Sequence, residues 1–167
     1  MSQHMDTQRR LGRIMWLIAW GLALALLTWF FQQKLQHDNN PNQSVRQLDA
    51  QTIVLAQNKR GHYVATGHIN GQEVVFLLDT GATQVAIPQG LAKKLGLKKG
   101  HELGLNTAAG VVVGHTTRVK NLSFGPFTLH NLSAVIMPSD SDEILLGMNA
   151  LRQFELIQRN GELTIRR

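Results

Sequence analysis

The hydrophobic rhythm of the chain changes twice. From Ile14 to Phe31 eighteen residues pass without a charge, softened only by Gly21 and Thr28. As a helix this stretch spans roughly 27 Å, enough to cross a hydrocarbon core. Trp16, Trp20, Trp29, Phe30 and Phe31 gather toward its two ends, where interfacial aromatics sit. The pattern then turns polar. Residues 32–50 are rich in Gln and Asn and contain Pro41, which predicts a flexible linker with a root-mean-square span of about 20–25 Å.

From Gln51 onward the apolar positions come in short runs. Thr52–Ala56, Tyr63–Ile69 and Glu73–Leu78 read as strands, and Asn70-Gly71 between the last two signals a type I′ hairpin. Val85–Ile87 predicts another short strand. Pro88 suits a first helical turn, with Leu91 and Leu95 as the apolar face before Gly96 stops the helix. Leu103–Thr107 and Val111–Val119 bracket a small-residue tip, Ala108-Ala109-Gly110. Leu122–Phe124 and Phe127–Met137 flank the turn at Gly125-Pro126. Ile144–Gly147 is a further apolar run, followed by a helical turn at Met148–Leu151, and Phe154–Gln158 with Leu163–Ile165 closes the chain as a hairpin around Asn160-Gly161. Most connections are of hairpin length, which predicts an all-β domain over residues 51–167 with one or two short helices.

Composition changes this picture little. The 167 residues hold one domain plus an appendage, and 43% hydrophobic content supports a packed core. There are no cysteines, so disulfides, thiolate zinc sites and a cysteine nucleophile are excluded. The net charge of +6 invites a nucleic-acid reading. Arg9, Arg10, Arg13 and Lys34, however, flank the apolar segment, and no aromatic or base-reading motif accompanies the charge. Three arginines before the segment and one lysine soon after it place residues 1–13 in the cytoplasm and send the rest across the membrane. The length of the apolar run and the lack of small residues after it favour an uncleaved signal anchor over 14–31. Lys93, Lys94, Lys98 and Lys99 read as a solvated face with a weak attraction to anionic headgroups as the alternative. Asp140, Asp142 and Glu143 read as a solvated loop, and the histidines show no zinc-like spacing.

One stretch carries chemistry. Val74 to Leu78 is an apolar run that reads as a strand buried on both faces, and it drives directly into Asp79-Thr80-Gly81-Ala82-Thr83. A carboxylate at the end of a buried strand has to be held by hydrogen bonds. Gly81 lets the backbone pass close by, so that amides and the Thr80 hydroxyl can surround it. Taken alone, Asp-Thr-Gly is also consistent with a simple turn or helix cap.

Leu77-Leu78-Asp79-Thr80-Gly81-Ala82-Thr83 is followed, 65 residues after the Asp, by Ile144-Leu145-Leu146-Gly147-Met148-Asn149-Ala150-Leu151. This ordered pair resembles the retropepsin-like aspartic proteases, most nearly their bacterial, single-span, membrane-anchored branch. The resemblance implies a closed β-barrel or sandwich that supplies half an active site. Two copies would pair about a two-fold axis, each contributing Asp79 as the catalytic residue. Thr80 would reach across to support the partner loop, Gly81 would contact substrate through its backbone, and Ala82, Leu146 and Gly147 would support the catalytic loop. Thr107, Ala108, Ala109 and Gly110 would form a flap over the bound peptide. It implies no cofactor and no metal. The partners would be a second copy, a peptide or protein substrate and the lipid bilayer, without nucleic acid. The location would be the bacterial cytoplasmic membrane, with the catalytic domain outside.

On that resemblance the sequence makes a second copy hard to avoid. Only one Asp-Thr-Gly occurs, and activating water needs a second carboxylate beside the first. Two carboxylates about 3 Å apart cannot both ionise, so such a pair shares one proton. Thr83 and Met148 stand where retroviral members carry an acid and an arginine, so both partners of that ion pair are missing together. Ala82 replaces the serine common in pepsin-like enzymes, which predicts activity at mildly acidic to neutral pH. The rival reading is a catalytically silent, membrane-tethered peptide-binding module of the same fold.

Overall fold

The computed structural model describes residues 2–107 and 110–167. The chain divides after His37 into two compact units. The first is carried by α1 (Ser2–Asn39), whose apolar stretch is exposed all round within the chain, with Trp16, Leu22, Leu26 and Phe30 each more than half exposed. The length of Gly12–Asn39 and a mean hydropathy of 2.1 over its most apolar eighteen-residue window make it a candidate membrane anchor or signal sequence.

The flexible coil expected at 32–50 is not what forms. The helix continues to Asn39, because nothing before Pro41 opposes it, and Pro41 disfavours helix in the residue ahead of it. Asn40 and Asn42 are then buried in the second unit, which begins at Asp38, so that the boundary expected at 51 falls inside it. The Asn42 side chain acts as a piece of strand. Its Nδ2 donates to Ala56 O (2.9 Å) and Val64 O (2.7 Å), and its Oδ1 accepts from Ala56 N–H (2.7 Å). Asn40 Nδ2 donates to Thr66 Oγ1 at 2.9 Å. Asn42→Ala would take the side-chain partner from the buried Val64 carbonyl and from both backbone groups of Ala56. We expect it to destabilise the domain by about 2–3 kcal/mol, read as a lower midpoint in urea unfolding.

Among the described residues the second unit has eleven strands and two short helices. β1 (Arg46–Asp49), β2 (Thr52–Ala56), β11 (Glu162–Arg166) and β10 (Glu155–Arg159) form a four-stranded antiparallel sheet in that order. β1 was not expected from the sequence, since its four residues are polar or exposed and carry no alternation. The larger sheet has the order β3 (Tyr63–Ile69), β4 (Gln72–Leu78), β9 (Glu143–Leu146), β5 (Val85–Pro88), β8 (Phe127–Met137), β7 (Gly110–Phe124) and β6 (Glu102–Thr107). A further pairing of β3 with β7, at His68–Ser123 and Ile69–Leu122, curls this sheet toward closure. The expected all-β barrel or sandwich is what is seen, with α2 (Gln89–Lys94) and α3 (Met148–Leu151) as its two short helices. The strands predicted at 111–119 and 122–124 are one strand, paired with β6 from Gly110 to His115 and with β8 from His115 to Phe124. Asn70 and Gly71 take φ of 51° and 82°, as a type I′ turn requires.

The core lies between the sheets. Ile53 and Ile165 from the smaller sheet meet Phe76, Phe124, Ile144 and Leu146 from the larger one, all of them essentially fully buried. Phe124 packs edge-on against Phe127 (5.5 Å between centroids) and Phe154 (5.7 Å), which joins the β7–β8 turn to the chain that follows α3. This core fixes the base on which the Asp79 loop stands.

Candidate active site

β4 delivers Asp79. Val74 and Phe76 point into the core with Leu78 packed beside them at the strand end, while Val75 and Leu77 on the opposite face are only half-buried, so the strand is not buried on both faces. The open face is where the single chain lacks a covering layer. β9 runs parallel to β4, with Phe76 beside Ile144 and Leu78 beside Leu146. It is also antiparallel to β5 through Ala86 and Leu145. The loop from Asp79 to Gln84 therefore leaves the sheet on one side of β9 and returns on the other.

The two sequence motifs meet here through their backbones. Asp79 N–H donates to Leu146 O at 3.2 Å, extending the β4–β9 ladder by one rung. Asp79 O accepts from Ala82 N–H at 3.2 Å, which makes the loop turn back. Ala82 O accepts from Met148 N–H at 2.8 Å, and Thr83 O from Asn149 N–H at 3.1 Å. The catalytic-loop candidate is thus stitched to the start of α3 on one side and to the end of β9 on the other. Gly147 fits directly under this seam: a methyl group on its Cα would lie 2.8 Å from Ala82 O and closer still to the Gln84 carbonyl.

The Asp79 carboxylate is half-buried. Its Oδ1 accepts from Gly81 N–H at 2.8 Å. A Cβ at Gly81 would stand 3.1 Å from the same oxygen, so glycine permits this approach of amide to carboxylate. Thr80 and Gly81 are exposed, and among the described residues the Thr80 hydroxyl has no hydrogen-bond partner. Asp79 and Thr80 open onto a small recess of about 230 Å³, shared with Tyr63, Leu78, Leu151 and Leu156. The Tyr63 hydroxyl is buried without a partner among the described residues. Two larger clefts, of about 690 and 800 Å³, do not include Asp79. A single chain therefore offers the carboxylate a corner and not an enclosed site.

Asn149 was not singled out from the sequence and proves central to the loop. Its Oδ1 accepts from Val85 N–H at 3.0 Å and its Nδ2 donates to Ser133 O at 2.7 Å, tying the start of β5 to β8. The available signal was one amide inside the otherwise apolar run Leu145 to Leu151. The structure brings Asp79, Thr80, Gly81, Ala82, Leu146 and Gly147 together. The candidate flap residues lie elsewhere, at the end of the β6–β7 hairpin, with Thr107 paired to Gly110 and Thr107 Oγ1 donating to Gly110 O at 2.7 Å. Ala108 and Ala109 fall outside the described residues. Next to the tip Val111 and Val113 are 73% and 59% exposed and form an apolar ridge that the described residues leave open.

Comparison with known proteins agrees with this geometry. A family model described as "gag-polyprotein putative aspartyl protease" matches residues 65–153, which include both motifs and the hairpin between them. A protein from Sinorhizobium sp., described as "Uncharacterized protein in cobV 5'region", is 31% identical over 121 residues, covering 70% of this chain and 52% of its own length. The chain thus spans about half the length of that relative. The crystal structure of a retropepsin-like aspartic protease from Rickettsia conorii superposes with a TM-score of 0.57 at 24% identity, over 68% of this chain and 89% of the other. With strand order, paired motifs and family match in agreement, the chain belongs to the retropepsin-like aspartic proteases.

Proposed function

We propose that the protein is a membrane-anchored aspartic endopeptidase, active as a homodimer, in which water is activated between the Asp79 carboxylates of two copies. The observation that carries this reading is the state of Asp79 in one chain. It is held by Gly81 N–H and by the β4–β9 ladder, yet faces a recess too small and too open to enclose a peptide. The half-covered face of β4 and the unpartnered Thr80 hydroxyl lie beside it, as a missing second copy would leave them. In the assembled site the ionised carboxylate takes a proton from water as the water attacks the peptide carbonyl. The protonated one donates a hydrogen bond to the carbonyl oxygen. The β6–β7 hairpin serves as the flap, its valine ridge covering apolar substrate side chains.

α1 anchors the chain as a single span with residues 1–13 in the cytoplasm and the catalytic domain outside, in keeping with the arginines ahead of the apolar stretch. Confinement to a membrane raises the effective concentration of both copies, so a domain that dimerises weakly in solution still assembles there.

The test is cleavage of a peptide library by the full chain in detergent and by the fragment from Asp38 to Arg167, which keeps Asn40, Asn42 and β1. Specific activity of the fragment should rise with its concentration in the micromolar range, and the rate should peak at mildly acidic to neutral pH. A concentration-independent rate would count against the weak dimer, and a maximum below about pH 3 against the role given to Ala82. Absence of cleavage at every concentration, with peptides still bound, would favour the silent binding module.

A further inference from the structure

Between Thr80 and Ser139 the sequence carries six lysines and arginines and a single carboxylate, Glu102. The fold collects four of these cations in one place. A cleft of about 800 Å³ runs between the segment after α2 and the outer face of β7, and Lys98, Lys99, Arg118 and Lys120 line it without an Asp or Glu among the lining residues. Glu102 faces His115 instead, at 3.7 Å. Among the described residues none of the four cations forms an ion pair, whereas Arg46, Lys59 and Arg166 elsewhere in the domain each do.

The backbone that carries the two lysines, and the Arg118 side chain, are held in position. That backbone is laced to β7: Thr117 Oγ1 donates to Lys98 O at 2.8 Å, Gly100 N–H donates to Thr116 O at 2.7 Å, and Thr116 N–H donates to His101 O at 2.8 Å. Arg118 is oriented by its Nη1, which donates to Asn131 Oδ1 (3.0 Å) and Asn131 O (3.2 Å), bonds that spend donors without neutralising charge. Arg118 and Lys120 are two apart on β7 with buried Val119 between them, so they stand on the same solvent face about 7 Å apart. That is also the repeat of alternate side chains along an extended polypeptide.

We infer that this cleft binds an extended acidic polypeptide segment of a protein partner, whose carboxylates neutralise Lys98, Lys99, Arg118 and Lys120. Charge complementarity names the sign of the ligand, and the shape names its class. A concave cleft admits a chain between its walls, where a flat bilayer surface would meet only the rims. No aromatic residue lines it on which a nucleic-acid base could stack. On the proposed activity the segment belongs to a protein substrate and lies away from the scissile bond, but the binding itself does not depend on hydrolysis.

The test uses the full chain in a zwitterionic detergent and a fluorescein-labelled octaglutamate peptide, read by fluorescence anisotropy. Binding should weaken as salt is raised, since the charges are partly exposed. Lys98→Gln/Lys99→Gln and Arg118→Gln/Lys120→Gln should each weaken it by about tenfold or more. Lys98→Arg/Lys99→Arg should retain it, and so should Arg152→Gln/Arg159→Gln, which removes the same charge elsewhere. Equal loss in the Arg152/Arg159 control would reduce the effect to net charge and overturn the proposal. So would unchanged binding in both cleft variants, or capture by phosphatidylglycerol vesicles or an oligothymidylate without binding of the peptide. Thermal unfolding of each variant separates loss of the site from loss of the fold.

Discussion

Asp79→Asn is expected to lower peptide hydrolysis by about 10³- to 10⁴-fold while leaving the fold in place. The substitution keeps an oxygen at the position that accepts from Gly81 N–H, so the loop retains its 2.8 Å bond, and the bonds to Leu146 and Ala82 are made by backbone and are untouched. What is lost is the group that takes the proton from water. Because the proposed site needs the carboxylate of both copies, mixing gives a second readout. When wild-type and Asp79→Asn chains are assembled together, activity should fall as the square of the wild-type fraction, provided that one wild-type carboxylate cannot work beside an asparagine. A linear fall would mean that each chain acts alone and would end the dimer reading. Unchanged cleavage by the pure variant would place the activity at another site or in a contaminant.

The second large effect is expected at Gly147. Its φ of −85° and ψ of −179° suit any residue, so alanine would meet no backbone strain there. The obstacle is space. The new methyl would lie 2.8 Å from Ala82 O and press on the Gln84 carbonyl, and both belong to backbone that is itself tied to α3 and β5. Gly147→Ala should cost about 3 kcal/mol in urea unfolding, in the range for overpacking. Hydrolysis should fall further than the folded fraction does, because the atoms displaced belong to the loop that carries Asp79. If stability and rate were both unchanged, the contact between α3 and the loop would not be what positions the carboxylate. Asn149→Ala offers a milder comparison, since it removes two hydrogen bonds without a clash.

Much of the local structure was legible in the chain. Alternation and short apolar runs marked most strands, and Asn70-Gly71 and Gly125-Pro126 marked the turns that join β3 to β4 and β7 to β8. The helix after Pro88 began where proline allows a first turn. β1 and the docking of Asn42 were not legible. β1 depends on its pairing with β2, and Asn42 on hydrogen bonds to strands 14 and 22 residues away; a polar residue has the same appearance in a tether as in a ladder. The four-cation cleft was half visible: lysines at 98 and 99 stood out, but their meeting with Arg118 and Lys120 required the β7 pairing.

The sequence by itself determined that Asp79 ends an apolar strand, that glycine follows within two residues, and that a second apolar run ending in glycine lies 65 residues on. These are properties of neighbours in the chain, and steric and hydrophobic rules act on neighbours directly. Only the tertiary structure decided that β9 lies between β4 and β5, so that Gly147 sits beneath Ala82 and Gln84 and Asn149 braces the returning strand. It also decided that β4 keeps one half-open face beside Asp79. Strand order and burial are set by which distant segments exclude water together, and no periodicity along one segment encodes the identity of its distant partner.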